Sequence, residues 1–251
     1  MRGTAGREGL TLIEILIALA IMGVVLVLIT NWQTSTLNIT TRTNATGRGL
    51  SELNDLTGYV GDRVRAALRV RVATSGLTVN SGGGNACSAT QPCLAVVLPD
   101  ASPTTGVVTK YVLYVYRMQP RSEVTLDKVP DAWAESNVQV LREYRSGDSA
   151  TTPVNCVPAA GETFETASGP GCAAMRDLAG LTSLGGFNPY LVSDYLTPAD
   201  QLPGGGAPFS WDSTTRSVTL RVQFRQQAGG RVTTLPPTQA YALNVRARNV
   251  P

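Results

Sequence analysis

The chain has 251 residues, enough for one sizeable domain with an appendage, and its balanced hydrophobic (43%) and charged (16%) content excludes wholesale disorder. A formal net charge of +3 is too small to indicate a nucleic-acid partner. The sequence contains no histidine, so Ser/His/Asp and Cys/His catalytic sites and histidine-ligated zinc cannot be built from these residues.

An apolar run extends from Leu10 to Ile29 and is interrupted only by Thr11, Glu14 and Gly23. As a helix it would cover roughly 30 Å, the thickness of a bilayer's hydrocarbon core. Basic residues precede the run and the next one follows well after it, so the positive-inside rule predicts a cytoplasmic N-terminus and an extracytoplasmic remainder. The run is longer than that of a secretory signal and has no small-x-small cleavage site after it, which predicts that it stays attached.

Glu14 is the one charged residue in this run. A carboxylate in a spanning helix costs on the order of 2.5 to 3.5 kcal/mol at mid-bilayer, and less near the interface. Cleavage after Gly9 would create an amino group on Leu10, and the amine of a neighbouring copy would neutralise the carboxylate. The alternative is an interfacial carboxylate that snorkels toward the headgroups.

The sequence GLTLIE at residues 9–14, with a short basic leader before it and an aliphatic helix after it, resembles the cleavage and methylation motif of type IV prepilins and type II secretion pseudopilins. The resemblance implies that a prepilin peptidase cuts between Gly9 and Leu10 and methylates the Leu10 amine. It also implies that Glu14 pairs with an N-terminal amine during filament assembly. The implied partners are other pilin or pseudopilin subunits, an inner-membrane assembly platform, and membrane lipid before assembly.

The chain after the apolar run divides into a helical and a β-rich part. Residues 31–49 are rich in threonine and asparagine, so we expect the helix to loosen or break there. An amphipathic helix is predicted next, and helical structure is expected up to residue 72. Its apolar stripe is Leu50, Leu53, Leu56, Val60, Val64, Ala67 and Leu68.

Strand signals follow in residues 73–251, the predicted globular domain. Residues 107–117 are typical of a central strand, and residues 138–145 form a weaker candidate. Alternation over residues 218–225, a turn region at 226–230 and alternation over 241–247 predict an antiparallel pair. The fold class is therefore α+β, a long N-terminal helix packed on an antiparallel sheet with disulfide-containing loops. The second helix and the final strand also resemble the larger minor pilins of the W type and J-type minor pseudopilins.

Four cysteines lie in loop-like sequence, and their even number indicates disulfides and an oxidising compartment. Three pairings are compatible with the sequence. We favour the two that close short loops, Cys87 with Cys93 and Cys156 with Cys172. Zinc is a weaker interpretation because neither pair has the spacing of a zinc knuckle.

The remaining polar candidates have ordinary interpretations. Arg221, Arg225, Arg246 and Arg248 would contact DNA phosphates if they shared one sheet face, although arginine on a solvated face is the usual case. Asp194, Asp200 and Asp212 would need to converge to bind calcium, and their spacing is not that of an EF-hand. The glycine triplet at 82–84 lacks the Lys-Ser/Thr of a phosphate-binding loop and is predicted to be a flexible loop. No cofactor or metal is expected.

Two functional classes follow. The first is a non-enzymatic minor subunit of a type IV pilus or related filament, which primes or caps assembly and supports DNA uptake, motility or adhesion, with a minor pseudopilin of type II secretion as the variant. Its chain would start in the inner membrane and end in a filament in the periplasm or at the cell surface. The rival is an extracytoplasmic binding module or enzyme that uses residues 10–29 only as a membrane anchor.

Overall fold

The computed structural model describes residues 11–79, 86–124, 128–146 and 155–250. The predicted leader at 1–9, Leu10 and the glycine triplet at 82–84 lie outside these residues. The described chain forms a long helix followed by a β-rich domain, which confirms the α+β class. Its helices are α1 (Leu12–Ala66), α2 (Ala132–Asn137) and α3 (Cys172–Arg176). Its strands are β1 (Arg69–Ala73), β2 (Thr78–Val79), β3 (Cys93–Ala101), β4 (Val108–Pro120), β5 (Gln139–Ser146), β6 (Ser183–Leu184), β7 (Phe187–Leu196), β8 (Phe209–Asp212), β9 (Ser217–Val222), β10 (Phe224–Ala228), β11 (Arg231–Leu235) and β12 (Tyr241–Arg246).

Helix α1 is continuous over 55 residues, so the expected loosening at 31–49 is wrong. The threonine hydroxyls donate to backbone carbonyls one turn earlier, so these side chains are satisfied within the helical conformation. Thr36 Oγ1 lies 2.9 Å from the Trp32 carbonyl oxygen, and Thr43 Oγ1 lies 3.0 Å from that of Ile39. The threonines bonded in this way are Thr30, Thr34, Thr36, Thr40, Thr41 and Thr43.

The C-terminal end of α1 also differs from the prediction. The helix ends at Ala66 rather than near residue 72, because Ala67 has an extended backbone and its N–H turns back to the Val64 carbonyl. The chain then enters β1, whose alternating arginines and valines suit a strand. Helix was expected over residues 67–72, and the antiparallel pairing of Arg69–Ala73 with β3 overrides it.

The main sheet has seven strands in the order β1-β3-β4-β5-β7-β10-β11, and all its strand pairs are antiparallel. Strand β4 lies inside this sheet and is flanked by β3 and β5, which confirms the predicted strands at 107–117 and 138–145. A second antiparallel sheet has the order β12-β9-β8, and β2 forms a short parallel pair with β6. The predicted antiparallel pair near the C-terminus is β9 with β12.

The alternation over 218–225 does not form a single strand. At Gln223 the chain leaves the three-stranded sheet and enters the seven-stranded one as β10. The buried Gln223 fixes this transition: its side-chain N–H donates to the Pro236 carbonyl (2.7 Å), while its side-chain oxygen accepts from Thr197 Oγ1 (2.9 Å). The predicted turn at 226–230 is correspondingly shorter, because the reversal occurs at Gly229 and Gly230, both with positive φ.

Two apolar cores lie in the domain. In the first core, the predicted stripe of α1 packs among side chains of both sheets, with Leu53, Leu56, Val60 and Val64 buried. Leu50, predicted to continue the stripe, is instead 56% exposed. The second core contains both disulfides, Cys87–Cys93 and Cys156–Cys172, which are the two local pairs that the sequence favoured.

Gly49 sets the closest approach of α1 to the β10–β11 hairpin. A Cβ atom at this position would lie 2.6 Å from Phe224 Cδ1 and 2.8 Å from Leu235 Cδ1. We expect Gly49→Leu to lower the free energy of unfolding by about 1–3 kcal/mol through overpacking. Gly47→Leu is the matched control, since a Cβ there meets nothing within 4 Å and helix propensity improves. Denaturant unfolding in detergent measures both; equal behaviour of the two variants would contradict this packing.

The disulfides close loops of different length, with sequence separations of 6 and 16 residues. Loop-closure entropy predicts that replacing Cys156 and Cys172 with serine lowers stability by about 3 kcal/mol, against about 2 kcal/mol for Cys87 and Cys93. Thermal unfolding of the two double variants checks the order. Adding a reductant to the Cys156/Cys172 variant then breaks only the Cys87–Cys93 disulfide and should lower stability by about 2 kcal/mol more. A larger further loss would contradict the predicted order.

Candidate assembly helix

The N-terminal part of α1 has no cover from the domain. Every residue from Thr11 to Thr41 is exposed, and we call Leu12–Thr41 the free arm. Large apolar side chains point outward all round it; Leu12 is 76% exposed and Trp32 71%. In the described part of the chain, α1 is the one helix long and apolar enough to cross a membrane. An apolar arm of this kind requires lipid or other apolar helices around it.

The first turn of the arm is a capping box formed by Thr11 and Glu14. The Glu14 carboxylate accepts from the Thr11 backbone N–H (2.8 Å) and from the Thr11 hydroxyl (2.8 Å). In return the Thr11 hydroxyl oxygen accepts from the Glu14 backbone N–H at 3.4 Å. The box supplies partners for amide groups that a helix start leaves unpaired. Glu14 therefore has an intramolecular role that is separate from any contact with another subunit.

The capping role of Glu14 was not predicted, although its signal is present in the sequence. Thr11-Leu12-Ile13-Glu14 fits the Ser/Thr-x-x-Glu pattern of a capping box before an apolar helix. The predicted pairing of Glu14 with an amine on a neighbouring copy stays a prediction. Gly9 and Leu10, the predicted cleavage and methylation site, lie outside the described residues.

A buried carboxylate, Glu143 on β5, ties the other half of α1 to the sheet. Its side chain is completely buried and accepts hydrogen bonds from the hydroxyls of Tyr59 (2.8 Å) and Tyr116 (2.6 Å). The guanidinium groups of Arg63 (3.5 Å) and Arg145 balance its charge. Two of these four partners belong to α1, so the contact fixes the helix against β4 and β5.

The electrostatics of this cluster keep its tyrosines neutral. Burial and then the adjacent Glu143 charge raise the pKa of Tyr116 far above its ordinary value. Burial and the hydrogen bond to Glu143 also raise the pKa of Tyr59. Neutral phenols must donate, because a carboxylate only accepts. Both phenols therefore stay protonated near neutral pH and join α1 to the sheet as hydrogen-bond donors.

A second buried ion pair joins Arg121 to Asp194. Arg121 Nε lies 2.9 Å from Asp194 Oδ1, and the guanidinium also contacts Glu135 (2.7 Å), which in turn accepts from Lys128 (2.6 Å). Beside this pair, burial and a hydrogen bond to Asp131 raise the pKa of Tyr195 to about 12. These contacts hold α2 and β7 together.

The three aspartates considered for calcium lie in different parts of the domain and have different contacts. Asp194 neutralises Arg121, whereas Asp212 accepts from the backbone N–H of Thr214 (2.8 Å) and shapes the turn between β8 and β9. Asp200 lies in a short 3-10 turn. Among the residues that the structure describes, no cluster of three or more histidine, cysteine or carboxylate side chains is arranged to hold a metal ion.

The four arginines considered for DNA do not share one sheet face. Arg225 lies on β10 in the main sheet, whereas Arg221 and Arg246 lie in the three-stranded sheet. Arg221 donates to the Pro203 carbonyl (2.9 Å) and Arg225 contacts Gln201, so both brace the neighbouring loop. Arg248 lies at the far end, where its backbone N–H meets the end of α1. The condition for a phosphate-binding face is therefore not met.

Comparison with known proteins gives one match. The model of the prokaryotic N-terminal methylation motif matches residues 5–30, which cover the start of the free arm and the capping box. This motif is the signal of type IV prepilins and pseudopilins, so the resemblance inferred from residues 9–14 is confirmed. No curated protein matches the chain, and no solved structure matches it.

Proposed function

We propose that this chain, which carries the type IV prepilin and pseudopilin signal at residues 5–30, is a minor structural subunit of a type IV pilus or related filament. The main support for the proposal is that this signal lies at the start of the free arm, the part of α1 that the domain does not cover. The free arm exposes apolar side chains on all sides from Leu12 to Ile29. Lipid before assembly and neighbouring helices afterwards provide surroundings of similar polarity for it.

The chemistry of assembly centres on Glu14. In lipid the carboxylate retains its hydrogen bonds to Thr11, which reduce the cost of holding it near an apolar phase. Carboxylates have about four acceptor positions, so Glu14 can accept from an amine while the capping box persists. We assign that amine to Leu10 of an adjacent subunit, after a prepilin peptidase has cut between Gly9 and Leu10 and methylated the new N-terminus.

The position in the cell and in the machine follows from the same assignment. The basic leader would remain cytoplasmic, the arm would cross the inner membrane, and the disulfide-bonded domain would lie outside the cytoplasm. Assembly platform proteins and other pilin subunits would then be its partners. We infer a priming or capping role among the larger minor subunits, in a pilus or in a secretion pseudopilus. The four arginines do not converge, so they provide no common face for DNA phosphates.

Intact-mass and N-terminal peptide mass spectrometry of the protein from its native membrane tests this proposal. We expect a chain that begins at Leu10 and carries one added methyl group. A strain without prepilin peptidase is the control and should retain residues 1–9. If the chain keeps those residues where the peptidase is active, the proposal fails and the rival function, a membrane-anchored extracytoplasmic module or enzyme, replaces it.

A further inference from the structure

The β10–β11 hairpin reaches α1 at the last turn of the free arm. The hairpin tip at Gly229 contacts the helix so closely that a Cβ there would lie 3.1 Å from Asn38 Oδ1 and 3.9 Å from Arg42 Nε. Arg231 follows the tip directly and is exposed. We call this end of the domain, formed by Asn38, Arg42 and residues 227–231, the base.

Helix geometry places the base close to the membrane surface. Ile29 is the last residue of the apolar run, and Asn38 lies about 14 Å beyond it along the helix. The headgroup layer occupies about 5–8 Å of that distance on each side of the hydrocarbon. For Asn38 the remaining gap is about 6–9 Å, comparable to the Debye length of about 8 Å at physiological ionic strength, and Arg42 lies about 6 Å farther, a distance that its long side chain can span. Side chains of a helix also lean toward its N-terminus, which directs Asn38 and Arg42 toward the bilayer.

The charge of the base is positive and uncompensated. No acidic residue occurs between Glu14 and Glu52, and none occurs in residues 213–250. The Nε atom of Arg42 is buried without a hydrogen-bond acceptor in the described part of the chain. No ion pair to Arg231 is present within the same residues. The buried Nε of Arg42 is out of reach of an external anion, so Arg42 can bind one only through its terminal nitrogens, whereas the exposed Arg231 is directly accessible.

We propose that the base docks on anionic phospholipid headgroups of the extracytoplasmic leaflet through Arg42 and Arg231. The phosphate groups of these lipids supply acceptors at the height that the free arm imposes, and the hairpin tip has no carboxylate to repel them. Docking holds the domain at the membrane while the subunit waits for assembly, and entry into a filament must break it. The inference rests on the membrane-spanning part of the proposed function, and it requires neither cleavage nor filament formation.

The test uses the full chain in bilayers of phosphatidylcholine alone or mixed with phosphatidylglycerol. A dye on Gln227→Cys, an exposed position of the base, reports proximity to lipids that carry a headgroup quencher. We expect strong quenching only with phosphatidylglycerol, and weaker quenching at high salt. The double variant Arg42→Gln/Arg231→Gln should shift the equilibrium between docked and undocked domains by about 30-fold.

Arg246→Gln/Arg248→Gln is the matched control, because it removes the same charge at the opposite end of α1. Its quenching should equal that of the unchanged protein. The inference is overturned if quenching is the same with and without phosphatidylglycerol, or if it falls equally in both double variants. An oligonucleotide that binds through Arg42 and Arg231 while the dye stays unquenched also overturns it, since the anion would then be a nucleic acid.

Protease protection of the free arm separates the two proposals. An inserted chain whose base remains unquenched overturns the lipid contact alone and leaves the filament role intact. A chain that does not insert overturns the membrane-spanning proposal and the lipid contact together.

Discussion

Replacing Glu14 with alanine is expected to leave the chain in the membrane and remove it from filaments. The substitution eliminates the one carboxylate of the apolar run, so insertion into lipid becomes easier. It also removes the acceptor for an adjacent amine. A hydrogen bond between charged groups contributes about 1.5–3 kcal/mol, so the incorporated fraction should fall at least about tenfold. The ratio of subunit in sheared filaments to subunit in membranes measures this effect.

Two further variants make the Glu14 result specific. Thr11→Val removes the capping hydroxyl but keeps the backbone donor, so incorporation should fall less than in Glu14→Ala. Glu165→Ala removes a carboxylate that is 59% exposed on the domain, and it should not change incorporation. If Glu14→Ala subunits enter filaments as well as the unchanged chain does, amine pairing has no part in assembly.

Glu143→Ala should produce the largest loss of stability among the substitutions considered. The change leaves Arg63 and Arg145 without their counter-charge and removes the acceptor of the buried Tyr116 hydroxyl and of the partly buried Tyr59 hydroxyl. We expect a loss of about 2–4 kcal/mol, because Tyr116 keeps a buried hydroxyl without an acceptor, while the Arg63 and Arg145 side chains, 21% and 37% exposed, are partly hydrated. Guanidinium unfolding of the full chain in detergent, followed by near-ultraviolet circular dichroism, gives the difference.

Glu165→Ala is again the matched control, since this carboxylate pairs with Arg69 at the surface. Exposed ion pairs contribute up to about 1 kcal/mol. The loss of stability for Glu143→Gln should lie between those for Glu143→Ala and Glu165→Ala, because the amide oxygen still accepts from a tyrosine but carries no charge. A loss for Glu143→Ala no greater than that for Glu165→Ala would show that the buried cluster does not hold α1 to the sheet.

Local periodicity was enough to predict the elements whose burial is repetitive. The stripe through Leu53, Leu56, Val60 and Val64 recurs at helical spacing and faces the first core as predicted. Leu50 fits the same spacing but remains exposed, since the side chains beside it, from Leu235 to Pro237, border an open groove instead of covering it. Periodicity predicts which residues share a face, and it does not show how far the neighbouring elements extend along that face.

Other features depended on partners that are distant in sequence. Glu143 is a single carboxylate in an otherwise ordinary strand, and its partner Tyr59 lies 84 residues away. The transition between sheets at Gln223 depends on Thr197 and Pro236, neither of which marks it locally. The capping box at Thr11 was different, because its pattern is local and could have been recognised. The cleavage and methylation motif at residues 9–14 was specific enough to predict the prepilin signal at residues 5–30. The contacts within the domain could be read only from the structure.

The way α1 enters the first core has a consequence for the export that the proposed topology requires. The helix emerges first, yet its apolar stripe is covered by β10, β11 and β12, and Asn249 contacts Ala66 across 183 residues of sequence. Contacts this distant form slowly, because the intervening chain must first be ordered. While translocation continues, the stripe on Leu53 and Leu56 stays uncovered beside the bilayer. On the proposed topology, a periplasmic chaperone that shields apolar segments would act on this helix before the final strands arrive.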